Sequence, residues 1–164
     1  MPVCKGSEWS TMMSATAPEK IHLIPDDSHL EHVGEIAGGQ LFLVSPQLNS
    51  DGDVTEDYVC TFVFDTDGKL VRHVIEHVGT RGTYEEAHFQ ALFQKHLDAL
   101  GERVESDIWI RPFKVDSNGQ EFGFIAMLVD EASDPPKDED WRVEFMPGNT
   151  LSFYAPWDAG VYDT

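Results

Sequence analysis

The chain reads as an α+β protein, a mainly antiparallel sheet of about seven strands built from hairpins, with one amphipathic helix over about 83–100 packed on it. Three observations carry that expectation. Alternating apolar runs meet at Asp67-Gly68 and Asn118-Gly119, and such dipeptides suit hairpin turns because Gly accepts positive φ freely while Asp and Asn tolerate it. One segment, TYEEAHFQALFQKHLDALG, repeats its apolar residues at helical spacing. The stretch from 107 to 130 is apolar on both faces, as in a sheet covered twice.

Residues 1–18 carry Ser, Thr, Ala and Pro without a period, which reads as a flexible leader, and residues 19–162 as a single domain. KIHLI and GQLFLV supply the first strands. Between them, PDDSHLEHVGE would place His29 and His32 three apart on a helical turn, near His22, Asp26, Asp27, Glu31 and Glu35. That spacing can hold a metal, but with no second cluster at a defined distance it reads as solvated surface. SPQLNSDGDVTED (45–57) and DEASDPPKDED (130–140) are polar, contain Pro46, Pro135 and Pro136, and read as loops. A calcium-loop reading from Asn49 fails, because Val54 and Cys60 stand where a Gly and a Glu are needed.

YVCTFVF alternates cleanly and turns through DTDGK into LVRHVIEHVG. The helix follows. Thr83 and Glu86 have capping-box spacing, Phe89, Leu92, Phe93, Leu97 and Leu100 form the apolar stripe, and Gly101 ends it. DIWIRPFKVD then turns through Asn118-Gly119 into EFGFIAMLVD, and WRVEF through MPGNT into LSFYAP. In the second hairpin the single helix can cover one face. The other needs another strand layer, the N-terminal segments or a second copy of the chain, which makes a homodimer one of three ways to cover it.

The stretch HVIEH (73–77) has the spacing of an inverted zinc-peptidase motif. Two histidines four apart grip one ion only on a helix, where they stand about 6 Å apart. On a strand they share a face but lie about 13 Å apart, and Glu76 points the other way. The preceding Asp-Gly turn and the β-branched character of Val71, Val74, Ile75 and Val78 favour the strand. Glu102, Glu105 and Glu121 are candidates for a further ligand by sequence proximity alone. His73, Glu76 and His77 therefore remain an alternative reading, a metal-dependent hydrolase. The first reading assigns no catalytic residue, metal or cofactor.

Charge narrows the partners. Thirty Asp and Glu against 11 Lys and Arg give a formal −19, a field that repels nucleic acid and anionic membranes and steers a basic protein inward. Cys4 and Cys60 make no disulfide or zinc framework, and Cys60 reads as a small buried hydrophobe. No apolar run approaches the ~20 residues of a membrane span, and the N-terminus has no apolar signal core, so a cytoplasmic location is expected. Dinucleotide, P-loop and GxSxG motifs are absent from the sequence. Acidic and aromatic residues near the C-terminus, Asp134, Asp138, Glu139, Asp140, Tyr154, Trp157 and Asp158, read as a partner-binding surface. Together these features point to a small acidic binding protein, an inhibitor or immunity-type protein engaging a basic partner. The rivals are an enzyme whose pocket leaves no motif, lined by His73, Glu76, His77 or Arg111, and a homo-oligomeric accessory domain.

Overall fold

The computed structural model describes residues 17–25, 30–128, 141–149, 151–154, 156–158 and 160–162. All of the expected leader except Ala17 and Pro18, and the acidic loop 130–140, lie outside the described residues. In chain order the elements are β1 (Ile21–Leu23), β2 (His32–Ile36), β3 (Leu41–Asp51), β4 (Val54–Phe64), β5 (Leu70–Thr80), α1 (Glu86–Leu100), β6 (Arg103–Glu105), β7 (Ile108–Ile110), β8 (Val115–Ser117), β9 (Gln120–Leu128), β10 (Trp141–Met146), β11 (Leu151–Phe153) and β12 (Gly160–Tyr162). The class is the expected α+β with antiparallel pairing. Among the described residues the strands form three sheets, ordered β5-β4-β3-β2-β6, β12-β11-β10-β9-β8 and β1-β7.

The doubly covered stretch is the β3–β4 hairpin. Phe42, Val44, Val59 and Val63 point to one face and pack under Leu97 and Leu100 of α1. Leu43, Cys60, Phe62 and Phe64 point to the other and meet Phe122, Phe124, Val143, Phe145 and Phe153 of the second sheet. Phe124 stacks on Phe145 with ring centroids 4.2 Å apart. Each buried Phe or Leu here contributes about 1.5–3 kcal/mol, so the alternation along β3 and β4 fixes both layers at once. The expectation that the helix covers the 107–130 stretch is corrected, because α1 lies on β3, β4 and β5.

Three further expectations change. First, 45–57 is not a loop, for β3 and β4 run through it and meet in a two-residue turn at Gly52-Asp53, with Gly52 at φ 66. Pro46 is tolerated in β3 because β2 pairs with that strand only as far as Val44, leaving the flank at Pro46 without a ladder neighbour among the described residues. Second, the segment around His32 is strand β2, not a helical turn. Gly34 makes this pairing possible, since a Cβ there would sit 2.0 Å from the Val104 carbonyl of β6. Third, the capping box does not form. The helix begins at Glu86, its N-cap Glu85 makes no side-chain cap, and Thr83 Oγ1 donates instead to the Thr80 carbonyl.

The turns behave as their residues require. Asp67-Gly68 closes β4 on β5, with the Gly68 amide donating to the Asp65 carbonyl, and Asn118 and Gly119 take φ 52 and 82 between β8 and β9. The run DIWIRPFKVD breaks at Arg111–Lys114, and β7 leaves to pair with β1. No described helix is long and apolar enough to cross a membrane.

Candidate functional site

A cavity of about 580 Å³ opens where the outer half of β3 and β4, the start of α1 and the β10–β11 turn converge. Pro46, Leu48, Tyr58, Phe89, Phe145 and Leu151 give it an apolar lining. Polar groups are few and placed. On β4, Asp57 is 6 % exposed. Arg81, just beyond β5, donates from Nη2 to its Oδ1 at 2.6 Å and from Nε to Oδ2 at 3.2 Å, and the Tyr84 hydroxyl donates to Oδ2. Three donor atoms from two residues, Arg81 and Tyr84, converge on one buried carboxylate, so Asp57 is a structural anchor.

Local sequence explains why these groups meet. β5 shifts register where Asp57 gives way to Tyr58, turning the chain so that Arg81 and Tyr84 return over β4. Gly79, at φ 151, lets the Tyr84 ring close in, since a Cβ there would lie 3.0 Å from the ring. Desolvation, together with the bond to Asp57, pushes the Tyr84 phenol up to about 12. The bond to Asp57 raises the Arg81 guanidinium further. Across the cavity, the Gly148 amide donates to Gln47 Oε1 at 2.7 Å, tying β3 to the β10–β11 turn. A second cavity of about 400 Å³ shares Pro46 and Phe89 with the first and continues along α1 toward His32 and Arg103.

HVIEH lies on β5, and its residues diverge as a strand requires. His73 sits opposite Phe62 and His77 opposite Tyr58 on the face toward the second sheet, with the His77 and Tyr58 ring centroids 5.2 Å apart. His77 Nε2 bonds Glu56 Oε1 at 2.6 Å, and Thr80 Oγ1 donates to the same carboxylate. Hydrogen bonds from His77 and Thr80 hold the Glu56 carboxyl below its usual range. Glu76 faces α1 instead, where it meets His96 Nε2 at 2.9 Å and Lys95 Nζ at 3.1 Å. Burial pushes the Glu76 carboxyl up, and the bonds from His96 and Lys95 together outweigh it.

His96 is the residue that sequence patterning missed. It is 4 % exposed and bridges Glu76 to the Thr61 hydroxyl, which lies 2.7 Å from Nδ1. The signal was present, since His96 falls on the same stripe as Phe89, Phe93 and Leu100. With Thr61 also buried, the Thr–His part of this chain lies beneath the helix, and the half-buried Glu76 at its outer end completes the link from α1 to the sheet.

The other candidate residues are dispersed. His22 stacks on Trp109 and bonds Asp107 at 2.7 Å, whereas His32 bonds Glu105 at 2.9 Å. His29, Asp26 and Asp27 lie outside the described residues. Arg111 bonds Asp67 and Glu19 at the far turn and does not join His73, Glu76 or His77. Glu121 pairs with Lys114. No group of three or more potential ligands converges among the described residues. Asp134, Asp138, Glu139 and Asp140 fall outside the described residues. Tyr154 is 42 % exposed, Trp157 packs on the central core and Asp158 is exposed. Burial raises the Cys60 thiol well above its usual value.

Comparison with known protein families, characterised proteins and solved structures finds no match to this chain.

Proposed function

We propose that this is a small cytoplasmic acidic binding protein, an inhibitor or immunity-type protein, whose cavity beside Phe89 seats an apolar side chain of a basic protein partner. The observation that carries the reading is the cavity itself. Its volume of about 580 Å³ and its apolar lining suit a bulky anchor residue, the kind of contact that dominates interface energetics. Glu86 lines it, and the exposed Asp51 and Asp53 stand at the tip of the β3–β4 hairpin that forms one wall. Around a hydrophobic socket in a chain of net charge −19, cationic residues beside the anchor would be attracted and anionic ones repelled. The exposed Tyr154 and Asp158 extend the acidic and aromatic character toward the C-terminal strands.

Selection of binders from a random peptide library tests this for a partner of any identity. Enriched sequences should carry an aromatic or large aliphatic residue flanked by Lys or Arg. Binding should weaken steeply as salt shortens the Debye length below about 10 Å, its value at 0.1 M. Leu48→Trp, which puts a bulky indole in place of an aliphatic side chain in the cavity, should reduce affinity by about tenfold or more with folding retained by circular dichroism. Glu86→Lys should weaken binding at low salt. Enrichment of acidic or purely polar peptides, or equal binding by the Leu48→Trp protein, would overturn the proposal.

A further inference from the structure

We propose that two copies of this chain pair through the outer edge of β5, joining their first sheets into one continuous antiparallel sheet, with Arg72 of each copy facing the partner's Glu76. β5 is the terminal strand of its sheet, so its outer flank has no strand neighbour among the described residues. The C-terminal end of that flank is already occupied. His88 Nε2 lies 3.1 Å from the Val78 carbonyl, and the Thr83 amide and hydroxyl both donate to the Thr80 carbonyl. Register shifts at Val63/Phe64 and Asp57/Tyr58 bracket the strand and leave Arg72–His77 in regular register against Val63–Tyr58. Val71 and Val74 on this edge are 48 % and 47 % exposed. A regular, partly apolar open edge is a template for another strand.

Charge decides which strand and which register. In a symmetric pair the two-fold axis stands perpendicular to the sheet, and residues opposite each other must point to the same face. The axis must therefore pass midway between one residue and its own copy. Centred on Val74, it sets Val74 against itself, His73 against Ile75, and Arg72 against Glu76, on the face that carries α1. Centred on His73 or Ile75, it sets Arg72 or Glu76 against Val74, and neither charge meets its opposite. Only the Val74 register is complementary, and it also lies at the middle of the open stretch.

This pairing is independent of the cavity and of any basic partner. Because each copy carries −19, added salt should strengthen self-association by screening mutual repulsion, the reverse of its effect on a basic partner. In a Cys4→Ser background, sedimentation velocity at submillimolar protein should show a species of twice 18.4 kDa. Arg72→Glu should shift it to monomer without altering circular dichroism. Val74→Cys, whose Cα would stand about 4.5–5.5 Å from its counterpart, should cross-link into a disulfide dimer on treatment with diamide. Val71→Cys should not, because its thiols would lie about 20 Å apart at ~3.3 Å per residue. Monomer at every concentration and salt would overturn the proposal. So would equal cross-linking at 71 and 74, or a dimer undiminished by Arg72→Glu.

Discussion

The Thr61–His96–Glu76 chain makes a quantitative prediction about what fastens α1 to the sheet. His96→Leu keeps an apolar side chain of similar bulk beneath the helix but removes both ring nitrogens. The Thr61 hydroxyl, 2.7 Å from Nδ1 and buried, then has lost its partner, a loss that costs about 1–3 kcal/mol. Glu76 keeps Lys95 and partial solvation, so its share is smaller. We expect about 2 kcal/mol of destabilisation, or about 4–8 °C in Tm for a chain of this length. Thr61→Val alone should cost a similar amount by stranding Nδ1. The double variant replaces both members of that bond with apolar groups, and should cost about 2 kcal/mol rather than the sum of about 4. Urea unfolding of the four proteins, with unchanged m-values, measures the coupling. Additivity within about 0.5 kcal/mol would refute the reasoning, as would a wild-type midpoint in either single variant.

Other outcomes follow from the same geometry. In an alkaline spectrophotometric titration one tyrosine should ionise near pH 12 and vanish in Tyr84→Phe; because its folded pKa lies above the ordinary 10.0, the stability linked to it is intact below pH 10 and lost as pH rises toward 12. The depressed Glu56 carboxyl works in the opposite sense: its contribution is present above 4.5 and is lost as pH falls through the folded value. Glu56→Gln should therefore flatten the decline in urea midpoint between about pH 6 and pH 3. Gly34→Ala drives a Cβ into the Val104 carbonyl and the Glu105 backbone, and should destabilise by about 1–3 kcal/mol while releasing β6, seen as faster amide exchange at residues 103–105. Cys60 should stay unreactive toward a thiol reagent in the native Cys4→Ser protein and react only on unfolding, since it is fully buried.

Much of the fold was legible in particular residues. The alternation of YVCTFVF, the Asp67-Gly68 and Asn118-Gly119 turns and the Phe89–Leu100 stripe are local signals, each set by a few neighbouring side chains, and each formed as expected. The same locality separates the HVIEH side chains, because a strand sends His73 and Glu76 to opposite faces whatever surrounds it. Where local signals misled, a distant contact prevailed over a local preference. Pro46 and the polar run after it suggested a loop, yet β4 pairs with every residue from Leu41 to Asp51. His32 suggested a helical turn, yet Gly34 admits β6. Thr83 and Glu86 had capping-box spacing, yet the Thr83 hydroxyl went to Thr80.

The candidate site was almost invisible in the sequence, for Asp57, Arg81 and Tyr84 carry no motif, and 24 residues or more separate Asp57 from its two donors. By itself the sequence determined the secondary-structure class, the extended state of HVIEH and the acidic field, because periodicity, turn chemistry and charge are properties of the chain. Tertiary structure decided which layer the helix covers, which carboxylate the arginine reaches, that the cavity opens beside Phe89, and that β5 is left at the edge of its sheet. Those outcomes depend on how strands from distant parts of the chain stack and in what order, and no local pattern encodes that order.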